Sequence, residues 1–344
     1  MTDDHPDVTL THEREVTEPV QLCLPGGTTL NPLARGWSRV PMHDCNLAGT
    51  PGRKKRWDYW AVLGPTHTLS VTYADIDFLG ITDVWWADLR SGRTGGRNRS
   101  VPGAAGISLP DRPGTAPLRS AARHQVLDLT DEPGGTRLSA AWTEADGTPA
   151  SMDVFVELPD GHESLNVVIP WSDELFQYTS KHQARPAHGT LTIGDEVIAF
   201  GGDAGEAWGV LDVGRGRWPH ETRWNWGGGA GATTTGEVLG IQIGGKWTDG
   251  TGFTENGIIV DGRLHKLGGE LRWGEGSYEV RRRVPDPVRF AGEKTDILSE
   301  DAPNGTHIGF LDAYVIVIER DSGRFQHSLA GEYRQWDPLD TFSA

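Results

Sequence analysis

A run of charged and aromatic residues is the first segment that could do chemistry. Positions 52–60 read Gly-Arg-Lys-Lys-Arg-Trp-Asp-Tyr-Trp, so four successive cations are followed by three aromatic side chains around one carboxylate. On a β-strand, Asp58 and Trp60 would share one face, and Trp57 and Tyr59 the other. A carboxyl group between apolar walls has a raised pKa and can donate a proton. The alternative is a solvated turn that leads into a strand, because charge runs usually face water.

A second candidate acid lies in the segment 71–80. The strand period places Asp75 and Asp77 on the same face as Val71 and Tyr73. If that face lines a barrel, repulsion between the two carboxylates would raise the pKa of one of them. If it is the wet face of an antiparallel sheet, both are ordinary surface residues.

A third segment combines the highest aromatic density with a carboxylate. Asp212 begins a stretch that ends at Trp224-Asn225-Trp226. On a strand, the two tryptophans share a face and offer flat walls to an apolar or sugar ligand, with Asn225 opposite. The alternative is a packed corner in which Arg215 pairs with Asp212 and the indoles fill the interior.

A fourth group, Glu255-Asn256, precedes Gly257 and a hairpin. Asn-Gly is a common turn dipeptide, so turn duty is one interpretation. The other is that Glu255 supplies an acid and Asn256 a hydrogen-bond donor to the mouth of a second barrel.

The usual signatures of metal, cofactor and serine-hydrolase sites do not occur. The sequence has no H-E-x-x-H, C-x-x-C or G-x-S-x-G, and its 12 histidines are scattered. A phosphate-loop spacing at 240–246 is followed by Trp247 where Ser or Thr would hold magnesium. We therefore predict chemistry without a metal or a cofactor.

Composition narrows the partners and the compartment. With 32 Lys and Arg against 48 Asp and Glu, the net charge of −16 opposes nucleic-acid binding. The start of the chain lacks a signal-peptide pattern, and no apolar run reaches the length of a membrane helix. We predict a cytoplasmic protein without an integral membrane segment, in which Cys23 and Cys45 are thiols.

The elements that must position these residues are strands. Apolar and polar residues alternate in many short runs such as 151–158, and Asp261-Gly262 has the residue types of a type I′ hairpin turn. Helical crossovers are missing, which favours antiparallel barrels or sandwiches. We predict an all-β protein of two lipocalin-like halves with few short helices, at 20–175 and 185–340. The Gly- and Arg-rich segment 91–117 is predicted as a long surface loop.

Taken together, these motifs resemble a bacterial family that is defined as a domain of unknown function (DUF2804-like), over about residues 20–340. The resemblance rests on Gly36-Trp37-Ser38-Arg39, Cys45-Asn46-Leu47, the stretch 52–60, Asp212 to Pro219, Trp224-Asn225-Trp226 and Thr254-Glu255-Asn256-Gly257. That family is distantly similar to the lipocalin-like group of carotenoid hydratases, tocopherol cyclases and fungal cyclases. The similarity implies two barrel-like halves and a lipophilic ligand between or within them.

The favoured function is cofactor-independent acid catalysis by a lyase or isomerase on a lipophilic isoprenoid-like alkene or alkenol. Hydration, dehydration, isomerisation and cyclisation all need a neutral acid and aromatic walls that stabilise a developing cation. Asp58 is the first candidate acid, followed by Glu255, Asp75 and Asp212. The candidate substrate-binding residues are Trp57, Tyr59, Trp60, Trp224, Asn225, Trp226 and Asn256.

Two other functions use the same residues. A non-catalytic carrier of a lipophilic small molecule needs only the tryptophans. A carbohydrate-binding protein or glycosidase needs paired carboxyl groups in an open groove, about 5 Å or 6.5–9.5 Å apart.

Overall fold

The computed structural model describes residues 11–49, 52–115, 117–232, 236–269, 277–280, 288–295, 311–319 and 328–334, the last four ranges by backbone only. The first strands are β1 Val20–Gln21, β2 Trp37–Ser38, β3 His43–Asp44, β4 Lys54–Leu63, β5 His67–Asp75, β6 Leu79–Asp88, β7 Thr94–Pro102, β8 Leu118–Ala122, β9 Gln125–Glu132, β10 Gly135–Thr143, β11 Pro149–Glu157 and β12 Leu165–Pro170. They are followed by β13 Phe176–Ile193, β14 Glu196–Phe200, β15 Trp208–Arg217, β16 Glu221–Ala232, β17 Val238–Gly245, β18 Asn256–Val260, β19 Arg263–Leu267, β20 Ser277–Val280, β21 Val288–Thr295, β22 Leu311–Glu319 and β23 Ser328–Arg334. The helices of the described residues are two single 3₁₀ turns, Pro32–Ala34 and Gly202–Ala204.

A large antiparallel sheet makes the first half of the molecule. Its strand order is β7-β6-β5-β4-β15-β13-β11-β10-β9-β8, with β12, β14 and β2 attached at its side. Alternation builds the inner face: in β11, Ala150, Met152, Val154 and Val156 are buried between partly or fully exposed neighbours. These side chains join a continuous core with residues from the other strands, such as Trp60 of β4. The sheet is therefore curled around one apolar interior.

Polar side chains connect the two ends of the curled sheet. Gln125 of β9 donates to the backbone of Arg97 and Thr82, at 2.5 and 3.2 Å, and accepts from the Thr82 hydroxyl at 2.6 Å. Glu144 accepts the indole N–H groups of Trp86 and Trp142, each at 2.8 Å. Because these contacts bring β6 and β7 next to β9 and the end of β10, they hold the curled shape.

A second antiparallel sheet follows, with the order β19-β18-β17-β16-β23-β22-β21-β20. Its strands β16 and β17 pack against β13 of the first sheet. The first ten residues of β13 are all buried, since one face of the strand packs on an apolar cluster that includes Leu22, Leu30 and Cys45, and the other face contacts the second sheet. This double burial explains why β13 lacks the apolar–polar alternation of a half-exposed strand.

The all-β, antiparallel prediction is confirmed; the short pair β1–β3 is parallel. The predicted hairpin turn at Asp261-Gly262 is also confirmed, with φ values of 47° and 80°. The prediction of a long loop over 91–117 is wrong in part, because β7 lies within it and pairs with β6. Its Gly and Arg residues lack apolar alternation because β7 is an edge strand whose side chains are partly or fully exposed.

The first sheet extends past the predicted boundary between the halves. β13 begins at Phe176, and β15 inserts between β4 and β13, so the first sheet runs to Arg217. The division into domains at 20–175 and 185–340 stays a prediction, and much of the chain beyond 269 lies outside the described residues.

Candidate functional site

Two rows of side chains face each other where the sheets meet. On the first sheet, Lys181, Asp212 and Tyr59 are direct cross-strand neighbours on β13, β15 and β4. On the second sheet, Trp226 pairs with Gly244, and the Glu255 side chain lies over Gly244. Directly paired residues point to the same face of a sheet. The two rows therefore meet face to face.

Lys181 lies between two carboxylates from different sheets. Its Nζ is 2.5 Å from Asp212 Oδ2 and 3.2 Å from Glu255 Oε2. The lysine and glutamate side chains are 4% and 1% exposed, and that of Asp212 is 13% exposed. The ammonium is also 5.3 Å from the centre of the Trp226 ring. One buried ammonium group thus contacts two carboxylates and the face of an indole ring.

Each carboxylate also accepts an indole N–H. Trp57 Nε1 donates to Asp212 Oδ1 at 3.2 Å, and Trp247 Nε1 donates to Glu255 Oε1 at 2.5 Å. Among the described residues, the contact of Glu255 Oε2 is the ion pair with Lys181 at 3.2 Å.

Burial dominates the electrostatics of Glu255. Burial raises the pKa of this carboxyl group, the charge of Lys181 and the Trp247 hydrogen bond lower it, and the charge of Asp212 raises it. The net result is a pKa of about 7 instead of the usual 4.5. Glu255 is therefore a mixture of the protonated and ionised forms near neutral pH. A carboxyl group with such a pKa suits general acid catalysis.

Two strand glycines make room for the acids. A Cβ atom at Gly244 would overlap the Glu255 carboxylate, and one at Gly214 would overlap the Trp57 ring. Glycine inside a strand often marks such a close approach. Because the Trp57 ring can lie over Gly214, its N–H reaches Asp212.

A cluster of tryptophans adjoins the acids. Trp218 lies at its centre, with ring centroids 5.4 to 6.4 Å from those of its four neighbours, which are Trp57, Trp171, Trp224 and Trp247. Trp218 and Trp247 are buried, whereas the other three are half-buried. The cluster therefore extends from the buried Glu255 to the solvent.

Asp58 lies on the opposite face of the first sheet. Its Oδ1 accepts a hydrogen bond from Arg215 Nη2 at 2.6 Å, and Arg215 also donates to the backbone oxygens of Pro110, Trp57 and Gly214. The alternative pair of Arg215 with Asp212 is wrong, because residues three apart on a strand point to opposite faces. Trp60 shares the face of Asp58 and belongs to the inner core. The catalytic role of Asp58 stays a prediction.

Asp75, the other predicted acid of the first sheet, lies at the end of β5, where it forms an ion pair with Lys54 at 3.0 Å and accepts the backbone N–H of Asp77. Asp77 has a positive φ of 79° and accepts the backbone N–H of Gly52, so these carboxylates organise the turn into β6. The structure does not bring Asp75 to Glu255.

The remaining predicted residues divide into two groups. Tyr59 and Trp226 pack edge to face at the meeting rows, with ring centroids 6.2 Å apart, and Trp224 packs against the same cluster. Asn256 is fully buried, and its amide bonds the backbone of Gly244 and Gly269, which fixes the start of β18. Asn225 is half-buried beside them on β16.

The sequence interpretation missed Lys181, Trp247 and Trp218. Lys181 occurs in a stretch of mixed polar residues with no strand period, so nothing in the sequence marks it as buried. The available signal is the pair of glycines Gly214 and Gly244, which lie inside β15 and β17. The interpretation also missed Asp83, which follows Tyr59 and Thr72 along the same cross-strand row, and burial raises its pKa to about 7.

Within the described residues, no group of three or more His, Cys, Asp or Glu side chains is arranged to hold a metal ion. Nor does a helix of these residues have the length and hydrophobicity of a membrane-crossing segment.

The model of one protein family matches residues 13–285, and the family is described as Domain of unknown function (DUF2804). The chain belongs to this family. The match contains both sheets' contributions to the site, from Trp57 to Glu255, which agrees with the motifs that suggested the family. A comparison with curated protein sequences finds no significant match.

Several solved structures match the chain at low similarity. A provisionally named AttH from Nitrosomonas europaea is 12% identical, with a TM-score of 0.48, over 81% of this chain and 92% of the other. Kievitone hydratase from Nectria haematococca is 8% identical, with a TM-score of 0.43, over 94% and 98%. CghA is 12% identical, with a TM-score of 0.44, over 95% and 96%.

Proposed function

We propose that the protein is an acid-catalysed lyase or isomerase that acts on a lipophilic, isoprenoid-like alkene or alkenol, with Glu255 as the proton donor. The observation that supports this most directly is the state of Glu255, a carboxyl group 1% exposed, with a pKa of about 7, beside a wall of tryptophans. Neither a metal nor a cofactor takes part in the proposed reaction.

The charges of the site favour a protonated Glu255 at rest. Two ionised carboxylates and one ammonium would leave a net negative charge in a buried place, whereas a proton on Glu255 makes the group of three neutral. When Glu255 gives up its proton, its Oε2 lies 3.2 Å from Lys181, which stabilises the new carboxylate. Lys181 is therefore a positioning residue that allows the acid to be used and restored.

The chemistry balances without a co-reactant other than water. Glu255 donates its proton to one alkene carbon, which forms a C–H bond and leaves a carbocation on the other carbon. Water then adds to the cation, and its released proton returns to the Glu255 carboxylate. If the cation instead loses a neighbouring C–H proton to the same carboxylate, the product is an isomerised alkene. The steps of the hydration in reverse order give dehydration of an alcohol.

The tryptophan cluster suits the charge of the intermediate. Indole rings attract cations that lie over their faces, and the effect is larger away from water. The Trp226 face already holds the Lys181 ammonium at 5.3 Å. Half-buried Trp57, Trp171 and Trp224 would supply the apolar entry for the substrate.

The glycosidase alternative fits this arrangement less well. A glycosidase keeps the scissile bond between its two carboxyl groups. Here the Lys181 ammonium contacts both Asp212 and Glu255, so the space between the acids is filled. The carrier alternative uses the same aromatic walls and differs only in turnover.

The test compares Glu255→Gln with Asp58→Asn, which makes the same chemical change on the other face of the sheet. Each variant is incubated with a panel of terpenoid alcohols and alkenes, with binding measured by native mass spectrometry and product by chromatography. We expect Glu255→Gln to bind as the parent does but to lose turnover at least about 100-fold, the usual scale of general acid catalysis. Folded Asp58→Asn should retain turnover.

Binding without turnover in the parent protein would establish the carrier instead. Turnover that survives Glu255→Gln but is lost in folded Asp58→Asn would transfer the acid role to Asp58. If nothing in the panel binds or reacts, the lipophilic substrate is wrong.

A further inference from the structure

Two buried amides adjoin the acid site. Gln183 of β13 lies two residues after Lys181, and Gln242 of β17 lies two residues before Gly244. Gln242 Oε1 accepts from Trp226 Nε1 at 3.0 Å and from Gln183 Nε2 at 3.1 Å. The amides therefore form the next row beside Lys181 and Glu255, behind the Trp226 ring.

This network leaves one donor and one acceptor unused. Gln242 Nε2 and Gln183 Oε1 have no hydrogen-bond partner among the residues that the structure describes, although Gln242 is 2% exposed and Gln183 is 0% exposed. An unsatisfied buried polar group lowers the stability of the folded state, and native proteins rarely keep one without a reason. Two complementary ones in adjacent side chains suggest a group that both would bind.

The backbone is shaped to place Gln183 here. The pairing of β13 with β15 shifts between His182 and Arg185, and Ala184 takes a positive φ of 57°. Such a bulge re-aims a side chain, and a non-glycine residue in this conformation is costly unless the fold requires it. A Cβ atom at Gly228 would overlap the Gln183 amide, and one at Gly240 would lie 2.8 Å from the Cβ of Ala184 and 3.1 Å from that of Gln183, so both glycines give this segment space.

The chemistry of the unused pair selects a hydroxyl group. A hydroxyl donates one hydrogen bond and accepts others, so it would satisfy Gln183 Oε1 and Gln242 Nε2 together. An ether or a carboxylate can only accept, an ammonium can only donate, and a hydrocarbon can do neither. Water has the same capacity as a hydroxyl and is the competing occupant.

We propose that Gln183 and Gln242 bind the hydroxyl group of the substrate, so that the site takes neutral lipophilic alcohols in preference to hydrocarbons or acids. This inference rests on the proposed function for its choice of a lipophilic ligand. In this arrangement, the hydroxyl group of the substrate binds to Gln183 and Gln242, and the neighbouring Glu255 carries out the proton transfer.

The test measures binding of three probes with the same carbon skeleton to the non-reacting Glu255→Gln protein. The probes are farnesol, farnesyl methyl ether and farnesene, titrated against tryptophan fluorescence. We expect farnesol to bind about ten-fold more tightly than the other two. Gln242→Met and Gln183→Met, each added to Glu255→Gln, should abolish that preference and leave the farnesene affinity within about two-fold.

Gln177→Met is the matched control. Gln177 is also 0% exposed and accepts the Trp218 indole N–H at 2.6 Å, but within the described part of the chain only its donor Nε2 is unused. This variant should keep the preference for farnesol, which separates loss of the hydroxyl site from loss of a buried amide.

Equal affinities for the three probes would overturn the proposal and indicate that only water binds there, as would a preference that persists in both glutamine variants. Turnover of the parent protein is read separately. Hydroxyl-selective binding without any turnover supports the hydroxyl site at the two glutamines and contradicts the proposed catalytic function. Turnover without hydroxyl selectivity supports the catalytic function and contradicts the hydroxyl site.

Discussion

Two buried groups of charges lie on opposite faces of the first sheet, and both contain a residue of β15. On the inner face, Asp58 pairs with Arg215, whose side chain is 0% exposed and donates to three backbone oxygens besides the carboxylate. On the outer face, Lys181 serves both Asp212 and Glu255. The inner group has one cation for one acid, and the outer group has one cation for two.

This difference in stoichiometry separates a structural pair from a reactive group. In a buried ion pair with satisfied hydrogen bonds, both groups stay charged. Removing either partner destabilises the protein, because the other charge is left buried and unpaired. A group with one acid in excess must keep a proton or remain charged, so the surplus acid titrates near neutral pH. The comparison thus favours Glu255 over Asp58 as the proton donor.

The largest expected effect follows from breaking the inner pair. Arg215→Met leaves the Asp58 carboxylate buried without a partner and removes the donors to Pro110 and Trp57. We expect a loss of about 3–5 kcal/mol in the free energy of unfolding, measured by urea denaturation.

The double variant Arg215→Met/Asp58→Leu should recover a large part of that loss, because it removes the unpaired charge. A double variant as unstable as Arg215→Met would show that the backbone hydrogen bonds of Arg215, and not its pairing with Asp58, stabilise the inner face.

The outer group should respond less and in a pH-dependent way. Lys181→Met removes the one cation that lowers the pKa of Glu255, so this pKa should rise above 7. Because Glu255 can then keep its proton and Asp212 is 13% exposed, we expect a loss of about 3 kcal/mol at pH 8, the low end for a broken buried pair, and less at pH 6. Lys181→Arg, which keeps the charge, is the control. An equal loss of stability at pH 6 and pH 8 would contradict the idea that one acid of this group exceeds the available cations and keeps a proton.

A smaller effect tests the position of Glu255 without changing its charge. Gly244→Ala places a methyl group where the Glu255 carboxylate lies. We expect a loss of about 1–3 kcal/mol from overpacking, together with reduced turnover. In a Glu255→Ala background, the same substitution should cost much less, because the space is free. Additive effects in this double-mutant cycle would mean that the two residues are not in contact.

The fold was largely predictable because alternation and turn residues are local signals. In β11 and in the Asp261-Gly262 hairpin, each residue type agrees with its own exposure and φ angle. β7 was missed because an edge strand without apolar residues has no such signal. The insertion of β15 between β4 and β13 was also beyond local reasoning, since pairing between strands about 150 residues apart has no local signature.

The site was predictable only in part, for the same reason. Aromatic density and charge in the sequence indicate four residues of the site, which the structure brings together: Trp224, Trp226, Asp212 and Glu255. The sequence does not indicate Lys181, because its ionic partners come from β15 and from the second sheet. Local context alone also ranked Asp58 above Glu255, since it cannot show that Arg215 lies across from Asp58.

The last expected effect is a difference in the pH dependence of stability between two proteins that differ at Glu255. The pKa of Glu255 is about 7 in the folded protein, above its usual 4.5, so between these pH values the folded chain keeps a proton that the unfolded chain has released. Its contribution to stability is therefore complete below about pH 4.5 and is lost as the pH rises through 7. Urea denaturation from pH 4 to pH 8 should show the parent protein losing stability relative to Glu255→Gln across this interval. Titrating groups common to both proteins, such as the buried His43, cancel in the difference. Parallel curves would show that the pKa of Glu255 is the same in the folded and the unfolded chain, which would remove the distinction between the outer and the inner group.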